Sequence, residues 1–194
     1  MPAAFWRLMA AIGAFGLGNF AVAFLVLRAL DMLRPEMSTA SATTAAVAFF
    51  LGTNAVGTLV SYPGGVLVDR LGSRPVLAAG YLLFTAACVV GAVGHGPVAV
   101  SVLAVAAGAS APLVSATEGT YVASLVDAEH RGAAFGISSA VAGVGDLVSS
   151  LVVGAIWASV GAAAGLGYGA AFTFLGALLL LAAPAERAVR SGGG

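Results

Sequence analysis

The sequence predicts an all-α fold of six membrane-spanning helices, and two observations carry that prediction. Of 194 residues, 60% are hydrophobic and only 8% charged, against about 25% charged in an ordinary soluble domain, and mean hydropathy is +1.05. The apolar residues also gather into six runs, each long enough to meet the ~20 residues that cross a hydrocarbon core of about 30 Å. Lipid offers no hydrogen bonds to the backbone, so runs of this length are read as helices.

The spans follow in order. The first, Trp6–Leu30, is too long for a signal-peptide core and is followed by further spans, so it is read as retained. A polar stretch, Asp31–Ala42, separates it from the second, Thr43–Val68, whose end carries Tyr62-Pro63-Gly64-Gly65, a sequence expected to loosen or kink a helix. The third, Pro75–Val93, runs from the Asp69–Arg74 connection to a Gly94-His95-Gly96-Pro97 turn. The fourth is Val98–Val126. The fifth, Ala133–Val160, and the sixth, Ala162–Ala183, are parted by little more than Gly161, and residues 190–194 read as a flexible tail.

Charge and cysteine usage exclude several functions. Net charge is zero with no basic stripe, which argues against nucleic acid as a partner. Cys88 stands alone in an apolar run, excluding an internal disulfide and a cysteine-rich metal site. His95 and His130 both fall in connections, so no metal site is expected. No nucleotide or other cofactor is expected either, leaving an ion gradient as the driving force. All eight basic residues are arginine, which, with so much Ala, Gly and Val, points to a GC-rich bacterial genome. With six spans, Arg7, Arg70, Arg74, Arg131, Arg187 and Arg190 fall on one side, while the other keeps Arg34 and, just inside a helix, Arg28. The positive-inside bias then places both termini in the cytoplasm of a multi-pass protein of the bacterial inner membrane.

Polar residues inside the spans repeat in threes. Span one carries Asn19 and Arg28; span two Thr53, Asn54 and Thr58; span four Ser110, Ser115, Thr117 and Glu118; span five Ser138, Ser139, Asp146, Ser149 and Ser150. Spans three and six hold little beyond Thr85, Cys88, Tyr168 and Thr173. Two polar helices followed by one apolar helix, twice, is the pattern of an inverted three-plus-three repeat whose third helices face lipid, behind the polar face. Chance clustering of Ser and Thr, which helices tolerate by bonding their own backbone, is the alternative.

Two connections carry a family resemblance. Gly65-Val66-Leu67-Val68-Asp69-Arg70-Leu71-Gly72-Ser73-Arg74 has the spacing Gly-x-x-x-Asp-Arg-x-Gly-x-Arg, which resembles the cytoplasmic loop signature of the major facilitator superfamily of secondary transporters. Ser73 departs from it, standing where the family usually has a basic residue. Within the loop, Gly65 and Gly72 allow close approach and a sharp reversal, and Asp69 is expected to pair with Arg70 or Arg74 or to lie at a neighbouring helix N-terminus. Asp127-Ala128-Glu129-His130-Arg131-Gly132-Ala133-Ala134-Phe135-Gly136 is similar to the acidic-then-Arg-Gly start of the eleventh helix of full-length members. Leu17-Gly18-Asn19-Phe20, Leu27-Arg28-Ala29 and Thr117-Glu118-Gly119 resemble C-terminal halves of bacterial members, and span four lacks the arginine that N-terminal halves often carry. The resemblance covers about residues 5–184 and implies one half of a facilitator bundle, equivalent to helices seven to twelve.

The membrane-embedded charges are the candidate functional residues. At 1.5 Å per residue, Arg28 lies about 33 Å along span one, near the outer surface, and Asp146 about 21 Å from Gly132, near mid-depth. Glu118 lies about 13 Å from Asp127, in the inner half. Arg28 is expected to pair with Asp31 one turn on or to snorkel outward. Asp146 has no cation at its own depth and is the leading proton- or substrate-linked carboxylate, with Glu118, Asn54, Asn19 and Arg28 beside it as candidates. A purely structural Asp146, hydrogen-bonded to Ser149, Ser150 or another helix, is the alternative. Gly143-Val144-Gly145-Asp146 also matches the Gly-x-Gly-Asp motif of intramembrane aspartyl proteases, yet that chemistry needs two carboxylates at one site, and Asp31, Asp69 and Asp127 all lie at the membrane edges. Gly161-x-x-x-Gly165-x-x-x-Gly169 is either a helix-packing face or incidental spacing at a turn.

The reading is therefore secondary active transport of a small solute through the lipid bilayer, by efflux or proton coupling, with no enzymatic activity. The half would act as a homodimer or with a separate N-terminal half; a non-transporting remnant or accessory subunit is the alternative. A cavity lined by Ala, Gly, Val and Ser, with few charges and no aromatic cage, is expected to suit a neutral or apolar solute, or drug-like efflux.

Overall fold

The computed structural model describes residues 1–182; the tail at 190–194, with Arg187 and Arg190, lies outside the described residues. The helices are α1 (Ala3–Gly18), α2 (Val22–Leu33), α3 (Thr39–Leu71), α4 (Ser73–Val93), α5 (Gly96–Ser124), α6 (Arg131–Ser159, preceded by a 3₁₀ turn at Ala128–His130) and α7 (Ala162–Ala182). Taken together, α1 and α2 make one crossing, so the described residues hold six candidate membrane spans.

The first span is not the continuous helix its hydropathy implied. It breaks at Asn19–Ala21, where Asn19 turns to extended backbone (ψ 104°) and caps α1 by donating its N–H to Phe15 O and Gly16 O. By contrast α3 begins at Thr39, earlier than the apolar run, with the Ser38 side chain accepting from Ser41 N–H at 3.3 Å. It continues through Pro63, which removes one rung of the hydrogen-bond ladder. Only Gly72 separates α3 from α4, at φ +84°, a left-handed conformation that favours glycine.

The packing obeys the exchange of spans one, two and three for four, five and six. Thus α3 packs on α5 as α6 packs on α1, α4 packs on α5 as α7 packs on α1, and α4 and α7 pack on each other. This is the contact pattern of an inverted repeat with its axis in the membrane plane. At its centre Thr85 of α4 and Thr173 of α7, each near mid-helix, share a hydroxyl hydrogen bond of 2.9 Å. Cys88 and Thr173 are fully buried, as expected for third helices behind the polar face, but these helices are not mainly lipid-facing: they pack on each other and on α5 and α1, and α3 and α6 are the less buried spans.

Close helix crossings mirror each other as well. A Cβ on Gly108 of α5 would stand 2.5 Å from Thr53 O on α3, and one on Gly145 of α6 would stand 2.9 Å from the Gly16 backbone on α1. Backbone cannot yield as a side-chain tip can, so only glycine fits, as small residues do at membrane helix interfaces. The Gly165–Gly169 spacing on α7 is likewise a packing face, with Gly165 against Val153 and Gly169 against Phe20 and Gly18 O, whereas Gly161 (φ +125°) makes the turn.

Arginines tie the bundle at both ends. Arg28 does not pair with Asp31: it donates from Nε to Gly91 O at 2.6 Å and from Nη2 to Gly94 O at 3.3 Å, while Asp31 pairs with Arg34 at 3.3 Å. Nor does Arg74 pair with Asp69; it donates to Leu180 O at 3.0 Å and to Leu181 O. The Arg28 guanidinium has found the final turn of α4, whose carbonyls lack intrahelical donors and carry the negative end of the dipole, and Arg74 reaches backbone carbonyls of α7. Asp69 is exposed, with no hydrogen bond or ion pair among the described residues. Gly65 has open space where a Cβ would stand, so no close approach requires it.

Replacing Gly145 by leucine should force α1 and α6 apart and lower stability by about 1–3 kcal/mol. The check is the midpoint of thermal unfolding in detergent, which should fall by several degrees; an unchanged midpoint would contradict the crossing.

Candidate functional site

A cavity of about 770 Å³ opens between the helices, within the usual range for small-molecule sites. Its lining comes from the α1–α2 crossing, α3, α5 and α6, with Phe84 from α4. It gathers Asn19, Asn54, Glu118 and Asp146 from four different spans into one lining. Arg28 is not part of it, being held at the bundle edge by the end of α4.

The helix break builds this site. Where α1 stops and α2 starts, backbone groups lose their intrahelical partners, and in lipid each such loss costs several kcal/mol unless another group steps in. One side chain of α6 does so for a backbone N–H, and a second bonds the Asn19 side chain at the break. The Ser150 hydroxyl accepts from Ala21 N–H at 3.1 Å, and Asp146 Oδ1 accepts from Asn19 Nδ2 at 3.0 Å. Asp146 is thus bonded to another helix rather than to Ser149 or Ser150, and it holds the broken span against α6.

Glu118 stands apart. It lines the cavity half-buried and makes no hydrogen bond or ion pair among the described residues. Asn54 is exposed and donates to Phe50 O, one turn back on its own helix, at 2.8 Å. Thr53, Thr58 and Ser61 return their hydroxyls to α3 in the same way, so α3 carries a polar stripe whose donors are already placed.

The expected absence of aromatics from the lining is corrected by the structure. Phe15, Phe20, Phe50 and Phe84 all line the cavity. Phe15 and Phe20 each pack edge-on or tilted against Phe84 at 5.9 and 5.7 Å between centroids, and Phe15 stacks on Tyr81 at 3.9 Å. Among the described residues, no group of three or more His, Cys, Asp or Glu could hold a metal.

Comparison with known proteins identifies this arrangement. The family model of the Major Facilitator Superfamily matches residues 5–193. The chain belongs to the Major Facilitator Superfamily. An uncharacterized transporter of this type from Methanocaldococcus jannaschii is 28% identical over 167 residues, 86% of this chain but 42% of that protein. The solved structure of the proton:xylose symporter XylE, bound to 6-bromo-6-deoxy-D-glucose, superposes with a TM-score of 0.72 at 17% identity. That match covers 93% of this chain and 45% of the symporter. The chain thus spans less than half the length of both. Membership in this superfamily of transporters removes the aspartyl-protease alternative, and the structure accounts for Gly145 in that motif by its contact with Gly16.

With Cys88 replaced by serine, a cysteine at Asn54 should react with a hydrophilic thiol reagent and one at Thr173 should not. Equal labelling of both positions would contradict the division between a wet cavity and a dry α4–α7 interface.

Proposed function

We propose that the chain is the C-terminal six-helix half of a secondary active transporter, moving a small solute across the inner membrane through the cavity between α3 and α6, with both termini cytoplasmic. The observation that carries this reading is an open half-cavity whose flanking helices are the least buried. In α3 and α6 only 11% and 17% of the most apolar stretch is buried, against 39–50% in the other four spans. Those helices present Asn54, Thr58, Ser139 and part of Asp146 towards the bilayer or a partner. An aspartate at the bilayer centre costs about 2.5–3.5 kcal/mol, so a second half covering this face is the arrangement that relieves it.

A homodimer related by a two-fold along the membrane normal would bring α3 of each copy against α6 of the other, and a separate N-terminal half would occupy the same face. In either assembly Asp146 is the proton-linked group: it sits at mid-depth, it bonds the broken span, and its bond to Asn19 is one that protonation would weaken. Rocking of two halves about a midplane site is the transport step this geometry supports.

The test is transport in proteoliposomes holding the chain alone or with a six-helix partner. Asp146→Asn should remove solute movement driven by a pH gradient, by at least about tenfold, while insertion is unchanged. Unchanged pH-driven transport would overturn the proton role. Absence of transport by the unsubstituted chain in every assembly would favour an accessory or non-transporting subunit.

A further inference from the structure

Resting on the reading of the cavity as the solute site, we propose that its solute is an organic cation with an aromatic or apolar body, held by Glu118 against the rings of Phe15, Phe20, Phe50 and Phe84. Three observations lead there. The lining contains two carboxylates, Glu118 and Asp146, and no Arg, Lys or His. Arg28, the arginine within a span, lies outside the lining and donates to the carbonyls of Gly91 and Gly94 at the end of α4. The apolar part of the lining is mostly aliphatic and small residues, with the exposed ring of Phe50 and the largely buried rings of Phe15, Phe20 and Phe84 among them.

The two carboxylates are not equivalent. Asp146 already accepts from Asn19, which ties it to the broken span. Glu118 has no donor among the described residues, although it is half-buried in the wall. A carboxylate withdrawn from water without a donor or counter-charge is unfavourable, so the cavity is short of one positive charge and Glu118 marks where it belongs. An anionic solute would be repelled by both acids. A sugar would need a dense set of donors and acceptors, whereas Thr53, Thr58 and Ser61 have returned their hydroxyl hydrogens to α3 and Asn54 one of its two amide hydrogens, leaving mainly acceptors on that stripe. A cation, in contrast, gains from the carboxylate and from the negative faces of aromatic rings, and a cleft of one sign of charge raises its local concentration.

The choice of Glu118 over Asp146 as the cation's partner also separates the roles. Asp146 carries the conformational link through Asn19, while Glu118 sits on α5, one helical turn from Ser115, which lines the same wall.

The experiment is binding, independent of transport. Tetraphenylphosphonium, the shape-matched anion tetraphenylborate and neutral triphenylphosphine oxide are titrated by equilibrium dialysis against the full chain in lipid nanodiscs, with empty nanodiscs as the blank. We expect saturable binding of the phosphonium, weakened at least about tenfold by Glu118→Gln and by a few-fold in Phe84→Leu, with Glu118→Asp retaining most of it. Neither the borate nor the oxide should bind saturably. Circular dichroism and size-exclusion profiles matching the unsubstituted chain verify that the variants fold. Phosphonium affinity unchanged in Glu118→Gln, no saturable phosphonium binding at all, or equal binding of the borate would each overturn the inference. Saturable phosphonium binding that depends on Glu118, in a chain that transports nothing in any assembly, would overturn the transport reading and leave this one standing. Transport of a neutral solute without phosphonium binding would do the reverse.

Discussion

In a bilayer a helix cannot stop without something else taking up its backbone hydrogen bonds, and the rest of this structure depends on how one such stop is accommodated. The first span breaks at Asn19–Ala21; Ser150 of α6 takes up the Ala21 N–H, and Asp146 of α6 accepts from the Asn19 side chain beside it. The consequences run outward. Because α6 must come close to reach the break, it crosses α1 backbone to backbone at Gly16 and Gly145. Because the break interrupts the wall rather than the core, the polar groups it recruits face the cavity. A local requirement of hydrogen bonding thereby places a carboxylate at mid-membrane beside a solute-sized space. Irregular backbone is tolerated at such depth where it borders a cavity or is buried in protein, and here it does the former.

The pseudo-two-fold arrangement explains why the cavity opens to one face. Spans three and six pack on each other through Thr85 and Thr173 and bury Tyr81, Cys88 and Leu166, forming a dry rear. Spans one and four sit in front of them, and spans two and five, α3 and α6, are left at the flanks with few neighbours. Polar residues follow the same division. The hydroxyl of Thr173 is shared with Thr85 and returned to Gly169 O, whereas Asn54 and Thr58 of α3 and Ser139 of α6 are exposed, with Ser138 and Ser149 of α6 buried. The chemistry of the cavity and the exposure of its flanking helices are two aspects of one geometry.

Much of this was legible in the sequence because membrane helices announce themselves by length and composition. The number of spans, the polar-polar-apolar order of each triplet and the convergence of Asn19, Asn54, Glu118 and Asp146 were all readable, since a polar residue inside an apolar run has few places to go. Pairings were not. Arg28 and Arg74 were matched to the nearest acids in sequence, Asp31 and Asp69, but found helix-terminal carbonyls brought close only by tertiary packing. The break in span one left no mark on hydropathy. Gly18-Asn19 was its only sequence sign, and glycine is so abundant in this chain, with 27 residues, that the pair was not distinctive. The aromatic lining was missed because Phe15, Phe20, Phe50 and Phe84 lie on three different spans, each unremarkable alone.

The central claim is that the side chains of α6 hold the broken first span in place. Pulsed electron paramagnetic resonance between spin labels at Leu27 on α2 and Leu151 on α6, both exposed, measures this directly in lipid. The account predicts one narrow distance distribution for the unsubstituted chain and a broadened or shifted one when Asp146→Ala and Ser150→Ala are combined. An identical narrow distribution in both proteins would contradict it, showing that α2 is held by packing and by the Arg28 hydrogen bonds to α4.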